Sequence, residues 1–297
     1  MKIAITGHLG FVGTETVKLF HEKGLEVVGY DIMENGNDIR ELSRFDQFIA
    51  DEKPGRILHL AAIARFNEAD ANPILTHQTN VLGTMNVATV AKKYRIPLVF
   101  ASTGSCYMPI KETPPITEEF PIMGNSVYGC SKALAELYVR TINPYIVLRY
   151  AHLYGKEKRH HGLIGGFTKR IEYGLHPILY GGKQSNDFTY IKDVAEANYA
   201  AITAPWDAWN QCYNVGTGEE LTAEEAGNLI CKATGYKGKV EVKEQRTVDP
   251  QRFVFDCSKA ERMLGFKAKY NFKDGLEDMF TEVYGDNKSR KKSRDNT

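Results

Sequence analysis

Short apolar runs alternate along the chain with longer stretches in which apolar residues recur every three or four positions. Residues 3–6 form the first run, which ends at a glycine, as a strand buried on both faces does. Over residues 11–23, Val12, Thr16, Leu19 and Phe20 fall on one helical face, and Gly24 stops the pattern. Residues 26–30 predict a second strand, ending in Asp31. Residues 56–60, 98–102, 145–149 and 212–215 predict four more, two of them just after Pro97 and Pro144. Helical stretches near residues 76–94 and 128–141 lie between them. Such alternation implies a parallel sheet with right-handed crossovers. The fold expected is therefore α/β, a Rossmann-type doubly wound sheet, with ligands at the carboxyl ends of its strands.

The pattern loosens after Gly155. Residues 156–161 read as a charged loop, and residues 219–284 as a mostly helical region with one strand at 239–242. The division expected is a dinucleotide domain of residues 1–155, to which 187–218 return, and a smaller substrate lobe of 156–186 and 219–284. Residues 285–297 are basic and read as a disordered tail.

With 297 residues, 42% hydrophobic and 25% charged, the chain can bury a sizeable core. A net charge of +1 gives no electrostatic reason for a nucleic-acid or membrane partner. The five cysteines are far apart, with no CxxC pair, which points to reduced thiols in a cytoplasmic setting and no metal site. No apolar run approaches the roughly 20 residues of a membrane span, and the start of the chain does not read as a signal peptide.

Gly7, Gly10 and Gly13 lie between the first strand and the first helix. Gly7 suits a tight turn, Gly10 a close approach to a pyrophosphate, and Gly13 the packing of helix on strand. The helix N-terminus adds free N–H groups and partial positive charge. Asp31, at the end of the second strand, can accept hydrogen bonds from both adenosine ribose hydroxyls and would repel a 2′-phosphate, so NAD is expected rather than NADP.

On these residues the sequence resembles the extended short-chain dehydrogenase/reductase family, in its branch of nucleotide-sugar epimerases and dehydratases. Further stretches carry the likeness. His59-Leu60-Ala61-Ala62 is similar to a segment that runs along the dinucleotide, Asp38-Ile39 to the pair at the adenine, and Asn80 to an asparagine on the following helix. Ser102 to Tyr107 resembles the active-site serine/threonine segment, and Tyr128-Gly129-Cys130-Ser131-Lys132 the YxxxK signature. Leu148-Arg149-Tyr150 with Tyr154-Gly155, Asn186 to Ile191, Tyr213 to Gly216 and Ser258-Lys259-Ala260 complete the set. The resemblance implies one further sheet strand, around residues 38–49. It also implies NAD contacts from Phe11, Val12 and Ala151 beside the residues already named, and a homodimer built on two helices per subunit.

Tyr128 and Lys132 are four apart on a helix and share a face. A free phenol, with a pKa near 10, is too weak a base at neutral pH. A neighbouring ammonium, helped by an oxidised nicotinamide, favours the phenolate, which can take a sugar hydroxyl proton while hydride leaves the same carbon. The resemblance gives Lys132 a second role, donating to the nicotinamide ribose. It makes Thr103 the residue that binds the reacting hydroxyl, with Ser102 and Ser105 as neighbours able to substitute. It also makes Arg252 a ligand of the substrate diphosphate, which a guanidinium fork suits.

Dehydratases of the family have an acidic pair directly after the active-site threonine, where this chain has Gly104 and Ser105. A 3,5-epimerase would need an acid/base such as Cys106. What remains is hydride out and hydride back: 4-epimerisation of a nucleotide-diphosphate sugar through a 4-keto sugar. A nucleotide-sugar reductase or dehydrogenase and a non-catalytic dinucleotide-binding regulator stay open. His152 and Asn186 stand where the family often has an asparagine contacting substrate and an arginine clamping the diphosphate. His160 and His161 read as solvated loop residues.

Overall fold

The computed structural model describes residues 1–107, 115–156, 162–244 and 252–285. The first half runs β1 (Lys2–Thr6), α1 (Phe11–Glu22), β2 (Glu26–Tyr30), α2 (Leu42–Glu52), β3 (Arg56–His59), α3 (Phe66–Ala71), α4 (Pro73–His77), α5 (Thr84–Tyr94), β4 (Leu98–Thr103) and α6 (Val127–Val139). The second half runs β5 (Tyr145–Tyr150), β6 (His152–Tyr154), α7 (Gly162–Glu172), β7 (Ile178–Tyr180), β8 (Ser185–Asn186), β9 (Phe188–Tyr190), α8 (Ile191–Ile202) and β10 (Gln211–Val215). It ends with β11 (Leu221–Thr222), α9 (Ala223–Thr234), β12 (Glu241–Lys243), β13 (Arg252–Phe253), α10 (Ser258–Leu264) and α11 (Phe272–Tyr284).

Six strands form one parallel sheet in the order β10-β5-β4-β3-β1-β2. The strands read from the apolar runs are these six. Ile3 and Ile5 face one layer, with Phe20 of α1 and Val194 and Ala197 of α8, while Ala4 faces the other, with Phe45 of α2 and Val87 of α5. Burial on both faces is why these strands are apolar throughout; each such Ile or Val contributes about 1.5–3 kcal/mol by leaving water. Strand order reverses at β1, so the crevice between the carboxyl ends of β1 and β3 is where such sheets hold a ligand.

The further strand expected around residues 38–49 is absent: residues 42–52 are α2. Phe45 and Ile49, four apart, are both buried, a helical spacing that outweighs the short apolar run. The strand expected at 239–242 is found as β12, pairing in parallel with β7. The long helix expected before β4 comprises α4 and α5, joined by one wider π-helical turn, Gln78–Gly83. Residues 219–284 contribute β11, β12, β13, α9, α10 and α11, and the apolar cluster containing Ile5 and Leu148 continues into them through Ala226, Ile230 and Leu276. The expected tail after Gly285 and the loop histidines His160 and His161 lie outside the described residues. Among the described residues no helix is long and apolar enough to cross a membrane.

Candidate active site

The glycine turn is held by backbone packing. Gly7 has φ +72°, donates its N–H to the Tyr30 carbonyl at 2.9 Å, and has room for no side chain, since a Cβ would lie 2.7 Å from the Ala61 nitrogen. A Cβ on Gly13 would overlap the Gly7 carbonyl oxygen, and one on Gly10 would lie 3.2 Å from it. Gly10 caps α1 with no side-chain cap and no acid in the first turn, so Phe11, Val12 and Gly13 begin a helix end suited to an anion. Leu60, Ala61 and Ala62 border this turn from the end of β3, Leu60 donating its N–H to the Thr6 carbonyl. This cradle fits a dinucleotide pyrophosphate.

Asp31 accepts from the Leu9 and Met33 N–H groups, each at 3.0 Å. A carboxylate has about four lone-pair sites, so capacity for ribose hydroxyls remains. The carboxylate of Asp38, expected with Ile39 at the adenine, takes the Arg40 side chain and backbone N–H, and Arg40 holds it below the usual carboxylate range. Ile39 packs where a Cβ of Gly83 would stand. Ala151 donates its N–H to the Val215 carbonyl, fixing the end of β5 against β10.

Asn80 lies in the π-helical turn and is fully buried. Its amide donates to the Ser131 hydroxyl and the Ile63 carbonyl, both at 2.9 Å, and its oxygen accepts from the Ile63 N–H. Behind it is a residue to which sequence reasoning gave no role of its own. His59 bonds Thr6 at 2.6 Å through Nδ1 and Thr84 at 2.9 Å through Nε2. The Thr84 hydroxyl donates to the Asn80 carbonyl, so it must accept from Nε2–H. His59 is thus neutral, its pKa driven well down by burial and the nearby Lys132 charge.

Thr103 ends β4 and lies in hydrogen-bond reach of the Tyr128 phenol oxygen. It also bonds Ser105, its oxygen accepting that residue's N–H at 3.2 Å. Ser102 points to the other side and donates to Glu136 at 2.5 Å, which removes it as a substitute for Thr103. Ser126 caps α6 by accepting the Gly129 N–H, so Tyr128 and Lys132 start a firmly anchored helix. The Lys132 ammonium stands 4.1 Å over the Phe100 ring and, among the described residues, has no hydrogen-bond partner. The side chain of Lys132 is 2% exposed.

The amine, helped by an oxidised nicotinamide, is expected to favour the phenolate; in the dinucleotide-free protein burial opposes this. Burial pushes the Tyr128 phenol up to about 12, against the downward pull of Thr103. Burial also drives the Lys132 amine down to about 7, against the upward pull of Glu136. Desolvation disfavours both charged forms, and the two groups stand in the reverse of the order a phenolate–ammonium pair needs. An oxidised nicotinamide ring beside the phenol would add the positive charge that favours its ionisation.

Cys106 is fully buried, and burial pushes its thiol far above its ordinary value. Its sulfur approaches Glu136 at 3.5 Å, so it does not serve as the acid/base a 3,5-epimerase needs.

On the sugar side, His152 is exposed on β6, its ring edge-on to Phe253 at 5.2 Å and tilted against Phe188 at 6.1 Å. Phe253 was not singled out in the sequence, yet a Cβ on Gly104 would run into its ring. Asn186 is half-buried and pairs in register with Phe253. Asp187, fully buried, accepts from the Thr217 N–H and hydroxyl and the Gly218 N–H, tying β8 to the loop after β10.

Arg252, expected at the substrate diphosphate, is paired within the protein. Successive strand residues face opposite ways, so Arg252 lies with its register partner Ser185, not with Phe253. Its guanidinium is bidentate to Glu220, at 2.9 and 2.7 Å, and Glu220 also accepts from Ser185. Asp249 to Gln251 lie outside the described residues.

Comparison with known proteins agrees with this geometry. The NAD dependent epimerase/dehydratase family model matches residues 3–216. A putative UDP-glucose 4-epimerase of Methanocaldococcus jannaschii is 31% identical, over 97% of this chain and 100% of its own. The crystal structure of UDP-glucose 4-epimerase from Thermotoga maritima with UDP-glucose superposes with a TM-score of 0.87 at 27% identity, covering 95% of this chain and 99% of its own. That from Thermus thermophilus, in complex with NAD, gives 0.85 at 29% identity, covering 96% and 99%. The family match begins within β1 and ends just after β10, so it takes in the whole parallel sheet, and the chain belongs to the NAD-dependent epimerase/dehydratase family.

Proposed function

We propose that this protein is an NAD-dependent 4-epimerase of a nucleotide-diphosphate sugar, UDP being the first nucleotide to test. The observation that carries the reading is Thr103 beside the Tyr128 phenol with no acid at positions 104 and 105, the space over Gly104 being filled by Phe253. The similarity to 4-epimerases named for UDP-glucose supports it.

Bound NAD supplies a hydride acceptor and donor, together with a positive ring. Gly7, Gly10, Gly13 and the start of α1 hold its pyrophosphate, Asp31 its adenosine ribose, and Lys132 its nicotinamide ribose. Thr103 orients the sugar 4-hydroxyl, and the Tyr128 phenolate takes its proton. The same phenol returns that proton after the 4-keto sugar has turned its other face. His152, Asn186 and Phe253 wall the sugar. We assign residues 1–155 and 187–218 to the cofactor, and 156–186 and 219–284 to the sugar nucleotide. A cytoplasmic homodimer fits the free cysteines and the row Leu134, Leu137 and Tyr138 exposed on α6.

The test is product analysis with UDP, GDP and dTDP sugars. An epimerase yields the C4 stereoisomer without net change in NADH; a reductase consumes NADH in proportion to product. Tyr128→Phe should lose turnover by about 100-fold or more while keeping bound NAD. Undiminished turnover in that variant rejects the assignment.

A further inference from the structure

Beneath the catalytic pair lies an ionised group for which the chemistry above has no use. Glu136 is fully buried on α6, one turn beyond Lys132 and two beyond Tyr128. One carboxylate oxygen accepts from Ser102 at 2.5 Å and from the Arg149 Nε at 3.0 Å; the other accepts from Arg149 Nη2 at 2.8 Å and Arg140 at 3.1 Å. Arg149, 1% exposed, goes on to Tyr107 at 2.9 Å, whose hydroxyl donates to Asn214 at 2.6 Å. A buried ion pair is a poor source of stability, because desolvation offsets the attraction. Its placement has a more specific consequence. Ser102 immediately precedes Thr103, and Lys132 sits one turn above the carboxylate.

We propose that Glu136 is a positioning residue for the reaction: it braces the strand end that carries Thr103 and supplies the negative charge that keeps the Lys132 amine an ammonium. The inference rests on the epimerase reading. The groups facing Glu136 are Arg149 from β5, Arg140 and Lys132 from its own helix, Ser102 and Cys106 from the end of β4, and Cys212 from β10, with Tyr145 at the start of β5. Those facing Lys132 are Glu136, Cys106 and neutral His59. Burial pushes the Glu136 carboxyl up, but Arg149 and Ser102 outweigh it and leave the group below the usual carboxylate range, so it is ionised at working pH. Glu136 is then the foremost influence opposing the burial that drives Lys132 down to about 7.

The sign follows. Turnover needs the amine protonated, so it falls as pH rises through the amine's pKa. Glu136→Gln removes the charge, lowers that pKa, and should move the alkaline limb of the kcat profile acidward by about one pH unit, a roughly tenfold loss of kcat on that limb. Glu136→Asp keeps the charge one methylene further off and should restore most of the shift. Ser102→Ala, which leaves the charge, should lower kcat about threefold or more with the limb in place. A merely structural Glu136 would lower melting temperature and leave the limb unmoved, and that result overturns the proposal. Should Glu136→Gln not fold, Glu136→Asp carries the test: a limb displaced acidward by a few tenths of a unit supports it, an unmoved limb overturns it. Carbon-13 NMR of lysine-labelled, NAD-loaded protein separates this from the substrate reading. A Lys132 Cε titration displaced downward without any sugar turning over rejects that reading alone; an undisplaced one rejects the role of Glu136.

Discussion

The two sides of the cleft are built by different means. On the dinucleotide side, position is fixed by backbone against backbone: Gly7 against Ala61, Gly13 against the Gly7 carbonyl, and the end of β1 against β3. The glycine turn does not depend on a long side chain choosing a partner. On the sugar side, strands of two or three residues, β6, β8 and β13, bring rings and polar side chains together from positions far apart in the chain. The wall at Gly104 is Phe253, about 150 residues away. Rigid backbone suits a cofactor that must stay through hydride out and hydride back. A side-chain wall on short strands suits a sugar that must turn between the two steps.

That difference makes the two sides break differently. The largest effect is expected from Gly13→Val. Its Cβ would meet backbone that cannot yield, so dinucleotide affinity should fall about 100-fold, read by NAD retention on the purified protein. Retention at the wild-type level would mean that the cradle is softer than its packing indicates. At the other end, Arg252→Ala on the sugar side should change the sugar-nucleotide KM by less than about twofold, because its pair with Glu220 is partly exposed. A rise of about tenfold or more would support the diphosphate role and show that Glu220 gives up its partner when substrate binds.

What could be read from the sequence follows the same divide. Ile3 to Thr6, Leu98 to Ser102 and Tyr145 to Arg149 are apolar because both faces of each strand are covered, so the six-stranded sheet was legible as six runs. The glycine turn was legible because positive φ and close approach leave glycine few substitutes. Residues 38–49 were given a strand by the resemblance rather than by their own pattern, and the burial of Phe45 and Ile49, four apart, shows a helix there. Arg252 was assigned to the diphosphate and Phe253 passed over because strand parity, which decides which side chain faces the site, needs the register with β8. Cys106 carried no mark of its burial. Glu136 carried one, standing four residues after Lys132 on the same helix face. The reversed order of Tyr128 and Lys132 was not legible, since spacing gives proximity and desolvation needs the walls.

Ionisation of Tyr128 tests the centre of this account most directly. The ultraviolet phenolate signal, taken as wild type minus Tyr128→Phe, is followed against pH with and without bound NAD. Without the dinucleotide the phenol should stay protonated up to about 12, and with NAD bound its ionisation should appear several pH units lower. Ionisation near neutrality in the dinucleotide-free protein, or no displacement when NAD binds, would contradict it.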